Sequence, residues 1–122
     1  MTKTDTPLAQ LQAHIRYRLA HRVEATGAWR MDELTRLVIW HWPHSHLDAA
    51  DRAGGRRHKA VDHAMALVRA QVRERWEAMH GVGPLWGMVL ADSVGGICEC
   101  VLDLWFADTR WRDRLEEMRE VI

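Results

Sequence analysis

Apolar residues recur at helical spacing along nearly the whole chain. Leu8, Leu11, Ile15, Leu19 and Val23 follow one another by three and four behind Thr6-Pro7, which suits an N-cap and a first helical position. Gly27 stands where a C-terminal stop is expected. One helix over about 7–25 is predicted, with His14, Arg16, Arg18, His21 and Arg22 on its remaining surface. Asp32 suits the N-cap of a second helix carrying Leu34, Leu37, Val38 and Trp40 or His41. Pro43 ends it, because the residue before a proline avoids helical geometry. His44 to His46 read as a linker, 47–53 as a short helix, and Gly54-Gly55 as a break.

The clearest pattern runs from about Arg56 to Met79, where Ala60, Ala64, Leu67, Val68, Val72, Trp76 and Met79 mark one face, with Arg69, Arg73 and Glu77 opposite. Gly81-Val82-Gly83-Pro84 is a loop. Beyond it, Gly87, Ala91 and Gly95 fall at i, i+4 and i+8, a small-residue stripe that would let another helix approach closely. Gly95-Gly96 weakens a helix there, so 85–107 reads equally as one helix or as two, about 85–92 and 95–107. A strand over Trp86 to Ala91 would have no evident pairing partner. Asp108 or Thr109 then caps a last helix whose apolar stripe is Trp111, Leu115, Met118 and Ile122.

These elements predict an all-α, single-domain bundle of five or six helices over residues 1–122. A chain of 122 residues can bury one core without disulfides, and 48% hydrophobic with 28% charged residues is globular composition rather than disorder. Met1 to Pro7 is polar, with no apolar leader, so secretion is not indicated and a cytoplasmic setting is expected. Cys98 and Cys100, one residue apart, read as reduced structural thiols. The apolar stretch 84–107 contains Asp92, Glu99 and Asp103, too many carboxylates for a bilayer span, and no membrane partner is expected.

Charge and aromatic content sharpen this picture. Residues 1–80 hold 13 Lys/Arg against 9 Asp/Glu, and residues 81–122 hold 4 Arg against 8 Asp/Glu, so the formal zero is a sum of +4 and −4. Two parts of opposite sign can each attract an opposite surface. All eight histidines precede Gly81. Seven tryptophans stand beside one Tyr and one Phe. Indoles can supply the large core pieces, and some can serve as interface anchors.

The candidates for chemistry are weak. His41, His44 and His46 surround Pro43 with Asp48 and Asp51 nearby, but the spacing matches no established zinc pattern, and a polar helix end explains it. His58, Asp62 and His63 form an equally ordinary surface group. Asp92, Glu99 and Asp103 share a helical face, which reads as its solvated side. Cys98 and Cys100 point to different sides of a helix and have no histidine near them in sequence. Neither a nucleophile elbow nor a phosphate-binding glycine loop is present. No metal, cofactor or catalytic residue is therefore expected.

The expectation is a non-catalytic protein that occludes or bridges a protein partner. Small accessory proteins of phages and mobile elements, including inhibitors of host defence, have this general character, an analogy of class only. Trp40, Trp42 and Trp111 are the expected anchors, because they sit at element ends where full burial is hardest, with Arg110, Arg112 and Arg114 as a polar rim. A homodimer is an alternative assembly. The alternative activity is DNA binding, loosely in the manner of a helix-turn-helix protein, through Arg52, Arg56, Arg57, Lys59, Arg69 and Arg73. The neutral total and acidic C-terminal part stand against it.

Overall fold

Thr6 opens the first helix by accepting the Ala9 amide on its Oγ1 at 3.1 Å, and Pro7 follows at the position where a missing N–H costs nothing. The computed structural model describes residues 6–83 and 89–122. Among them lie seven α-helices and no strand: α1 (Pro7–Arg18), α2 (Ala20–Thr26), α3 (Ala28–Trp40), α4 (His44–Ala53), α5 (Lys59–His80), α6 (Ala91–Ala107) and α7 (Thr109–Val121). The chain is all-α, with more helices than the five or six expected.

The extra helix comes from a kink at Leu19, whose φ of −112° and ψ of 33° divide the predicted helix over 7–25 into α1 and α2. Hydrogen bonding continues through it: Leu19 donates to the Ile15 carbonyl, and its own carbonyl accepts from Arg22 and Val23. The Leu19 side chain lies against α6 at Gly96, where a methyl group in place of the glycine hydrogen would stand 3.1 Å from Cδ1. Gly27, at φ 94°, ends α2 and lets α3 begin immediately, so Asp32 lies inside α3 rather than capping it. His44 to His46 are the first turn of α4, not a linker; the Leu47 amide bonds the Pro43 carbonyl at 3.0 Å. Arg56 and Arg57 precede α5, whose N-cap is His58, its Nδ1 accepting the Ala60 amide.

Residues 91–107 form one helix across Gly95-Gly96. Two helical glycines cost about 2 kcal/mol against alanine. Burying Val94, Ile97, Cys98, Val101, Leu102 and Trp105 outweighs that by a wide margin. The predicted strand over 86–91, the helix start near 85 and Gly87 lie wholly or partly outside the described residues. Of the small-residue stripe, Ala91 is exposed and nothing lies within 4 Å of a Cβ built on Gly95. The close approach is made one position later, at Gly96.

The core is one continuous cluster gathered around α3, which packs against α1, α2, α5, α6 and α7, while α4 lies on α5. Its largest fully buried side chains include Trp42, Trp105, Ile15, Met31, Ile39, Met65 and Leu115. On α5 the buried stripe is Val61, Ala64, Met65, Val68, Val72 and Trp76, and the predicted core positions Leu67 and Met79 are exposed. Ile122 is also exposed. Among the described residues no helix is long and apolar enough to cross a membrane.

The charge segregation of the chain is largely spent inside the fold. The acidic face of α6 meets basic residues from the first half: Arg22 to Asp92 at 3.3 Å, Arg18 to Asp103 at 3.2 Å, and Arg56 to Glu99 at 2.7 Å and to Asp103 at 3.5 Å. These side chains are all partly exposed, so each pair contributes between about 0 and 1 kcal/mol. What they supply is register between α6 and the helices beside it.

Candidate protein-binding groove

Helix α3 is buried on most of its circumference and leaves one stripe in water. Trp29 and Trp40 are eleven residues apart, which places them about 20° from each other around the helix and about 16 Å apart along it. They are 54% and 43% exposed. Between them on the same side lie Glu33 and Arg36, with Leu37 set deeper. Arg75 and Met79 of α5 form the opposite wall, and Ile122 closes one end. The result is an open groove of about 590 Å³.

Trp29 belongs to an aromatic stack. Trp29 lies over the buried Trp76 with ring centroids 6.2 Å apart and planes 25° apart, and Trp76 meets His80 at 4.2 Å. His80 is positioned in turn by a 2.9 Å hydrogen bond between its Nε2 and Glu33 Oε1. Cations cover the outer faces of both exposed indoles: Arg30 over Trp29 at 4.9 Å and Arg119 over Trp40 at 5.9 Å. Of the groove's acids, Asp32 contacts Arg16 at 3.3 Å and Glu33 is bonded to His80. Arg36 and Arg75 have no ion-pair partner among the described residues. The rim therefore holds two guanidinium groups without ion-pair partners, Arg36 and Arg75, against one carboxylate, Glu33, hydrogen-bonded to His80.

The anchor set expected from the sequence is divided by the fold. Trp40 lines the groove, but Trp42 is 1% exposed and belongs to the core. Pro43 turns the chain directly behind it, and the turn carries Trp42 inward against α4 and α5 rather than outward at a helix end. Trp111 is half-buried against the core, with Arg114 over its ring at 5.2 Å. Arg110 is folded onto Asp108, the N-cap of α7, and the bond holds the Asp108 carboxyl below its ordinary value. Arg112 is no rim residue: its Cζ sits 3.9 Å from the centroid of buried Trp105, its Nε donates to the Trp105 carbonyl at 3.0 Å, and Nη1 contacts Asp51 at 3.3 Å. Trp111, Arg110 and Arg114 thus sit near the start of α7, whereas Arg119 and Ile122, beside Trp40, sit at its far end.

The basic set is divided too. Arg56 is held by α6 and Arg73 by Glu77 at 3.0 Å, leaving Arg52, Arg57, Lys59 and Arg69 exposed. His41, His44 and His46 do line a common cavity of about 390 Å³ with Gln71, Glu116 and Arg119. His44 Nδ1 lies 3.4 Å from Glu116, yet burial keeps the His44 pKa below the ordinary imidazole value, and His41 is lowered chiefly by the same cause. Among the described residues no three His, Cys, Asp or Glu side chains converge to hold a metal ion. Cys98 and Cys100 are free and buried, and burial pushes the Cys98 thiol up to about 12.

Sequence reasoning missed Trp29, Met79, Arg36 and Arg75. The signal for the first was available: a second tryptophan eleven residues before Trp40 repeats the same helical face. No family model, curated protein or solved structure matches the chain.

Proposed function

We propose that this chain is a non-catalytic protein-binding protein that occludes or bridges a partner through the groove between α3 and α5. One observation carries the reading. Among the described residues three other tryptophans are buried and a fourth lies half-buried on the core, yet Trp29 and Trp40 stay open to water on one face of α3. The two indoles and Met79 are large apolar side chains left exposed along one groove, and tryptophan and arginine are both enriched at binding hot spots. The groove offers indole, thioether, aliphatic and guanidinium groups, which bind by packing and charge.

The test is capture from a lysate of the encoding organism by the wild-type chain and by a Trp29→Ala/Trp40→Ala variant whose circular dichroism is unchanged. A protein retained by the first and lost by the second supports the reading. A partner held equally by both would move the binding surface elsewhere. Duplex DNA binding is the weaker reading, since Arg56 and Arg73 are committed to acidic neighbours. Duplex retention that depends on Arg57 and Lys59 and fades with salt would favour it.

A further inference from the structure

We infer that the occupant of the α3/α5 groove is an acidic amphipathic α-helix of about three turns, supplied by a different protein. This rests on the protein-binding reading and specifies the partner.

The helical form follows from the walls. They are α-helices, whose interior backbone N–H and C=O groups are already bonded within each helix, so the groove offers no ladder for an extended strand. A segment entering an apolar groove must satisfy its own backbone, and an amphipathic helix does so while presenting an i, i+4, i+7, i+11 stripe. Trp29 and Trp40 are separated by that interval, with Glu33 and Arg36 between them, so the span between the two indoles matches about three helical turns.

The acidic character follows from the rim. Arg36 and Arg75 are exposed without ion-pair partners among the described residues, and Arg30 and Arg119 lie across the faces of the two tryptophans. Of the two carboxylates of the groove, Asp32 is paired with Arg16 and Glu33 is hydrogen-bonded to His80, so two unpaired guanidinium groups face one unpaired carboxylate. An entering helix with Asp or Glu beside its apolar stripe would find the two guanidinium groups that line the site, Arg36 and Arg75, and one with Lys or Arg would meet like charge.

Among the described residues, neither α6 nor α7 gives a second copy of this chain such a helix to offer. The acidic face of α6 is engaged by Arg18, Arg22 and Arg56. In α7, which carries four Arg against four Asp/Glu, the apolar residues Leu115 and Met118 are buried in its own core.

The experiment uses three labelled peptides of about four helical turns with one leucine stripe. One has Glu at its flanking positions, one has Lys, and one is the Glu peptide with its stripe scrambled. Binding to the full chain is followed by anisotropy and by tryptophan emission. The Glu peptide is expected to bind at least about tenfold tighter than the Lys peptide. Arg36→Glu/Arg75→Glu should reverse that order, Trp40→Ala should weaken both, and the scrambled peptide should not bind. Equal binding of the Glu and Lys peptides overturns the acidic assignment and leaves the groove a docking surface. Binding of no peptide overturns the inference, while the protein-binding reading stands or falls on the lysate capture. Concentration-dependent self-association in sedimentation, abolished by Trp40→Ala, would make a second copy the occupant and overturn the inference.

Discussion

The neighbouring glycines of α6 provide a measurement in which most unknowns cancel. Gly95 and Gly96 are adjacent and helical, and neither has a positive φ, so each should gain about 0.8–1 kcal/mol of helix propensity when replaced by alanine. At Gly95 nothing lies within 4 Å of the new methyl, and the whole gain should appear. With about 2.1 cal/mol/K per residue of unfolding entropy, 122 residues give about 0.26 kcal/mol/K, so Gly95→Ala should raise Tm by about 4 °C. At Gly96 the methyl would stand 3.1 and 3.3 Å from the two Cδ atoms of Leu19 and 3.4 Å from Arg22 Nε. Leu19 is held at the α1/α2 kink, so moving it disturbs the path of the chain, and overpacking of this kind costs about 1–3 kcal/mol. Propensity cancels between the variants, and Gly96→Ala should fall below Gly95→Ala by about 1–3 kcal/mol, or about 4–12 °C in Tm. Urea unfolding followed by far-ultraviolet circular dichroism, at unchanged m, reads the difference directly. Equal shifts would mean that Leu19 does not rest on Gly96. A loss of stability in Gly95→Ala would mean that something covers that face, and sedimentation would show whether it is a second copy.

Other variants separate core from surface. Trp42→Ala should cost about 3–5 kcal/mol, while Trp40→Ala, two residues away, should cost about half as much or less and leave a folded chain; similar losses from both would contradict the assigned burial. His14, His41 and His44 are all held below the ordinary imidazole pKa, mainly by burial. The unfolded chain binds protons near pH 6.5 that the folded chain refuses, so their contribution is complete above that pH and is lost as pH falls toward the folded values. The urea midpoint should therefore drop between about pH 7.5 and pH 5.5, and His41→Gln should flatten the slope; a midpoint that rises on acidification would refute this. Arg56→Gln removes two partly exposed ion pairs and should cost no more than about 1 kcal/mol, fading with added salt. Cys98 should resist Ellman's reagent in the native state and react once urea unfolds the chain, since its thiol is buried and pushed up to about 12; fast native reaction would show otherwise.

Periodicity carried the fold class and most element positions. The stripe Leu11 and Ile15, the proline after Trp42, the loop after His80 and the cap at Asp108 are local signals, and local geometry obeyed them. What the pattern could not convey was the kink at Leu19, where the side chain meets Gly96, 77 positions later on α6. The charge split was legible as composition, but its use was not: a run of arginines reads the same whether it faces a partner or the chain's own carboxylates. The exposure of the expected anchors was equally hidden in the sequence. Trp40 and Trp42 are equivalent as text, and the turn at Pro43 separates one into water and the other into the core.

Residue order alone indicates most of the helical positions and most of each apolar face, because hydrogen bonds and side-chain spacing within a helix are contacts between near neighbours. Which apolar stripes become core, which arginines are consumed and which tryptophans remain outside depends on contacts between positions far apart in the chain. Those were decided only when α3 was surrounded by its neighbours, since the side α3 kept open is whatever they did not cover.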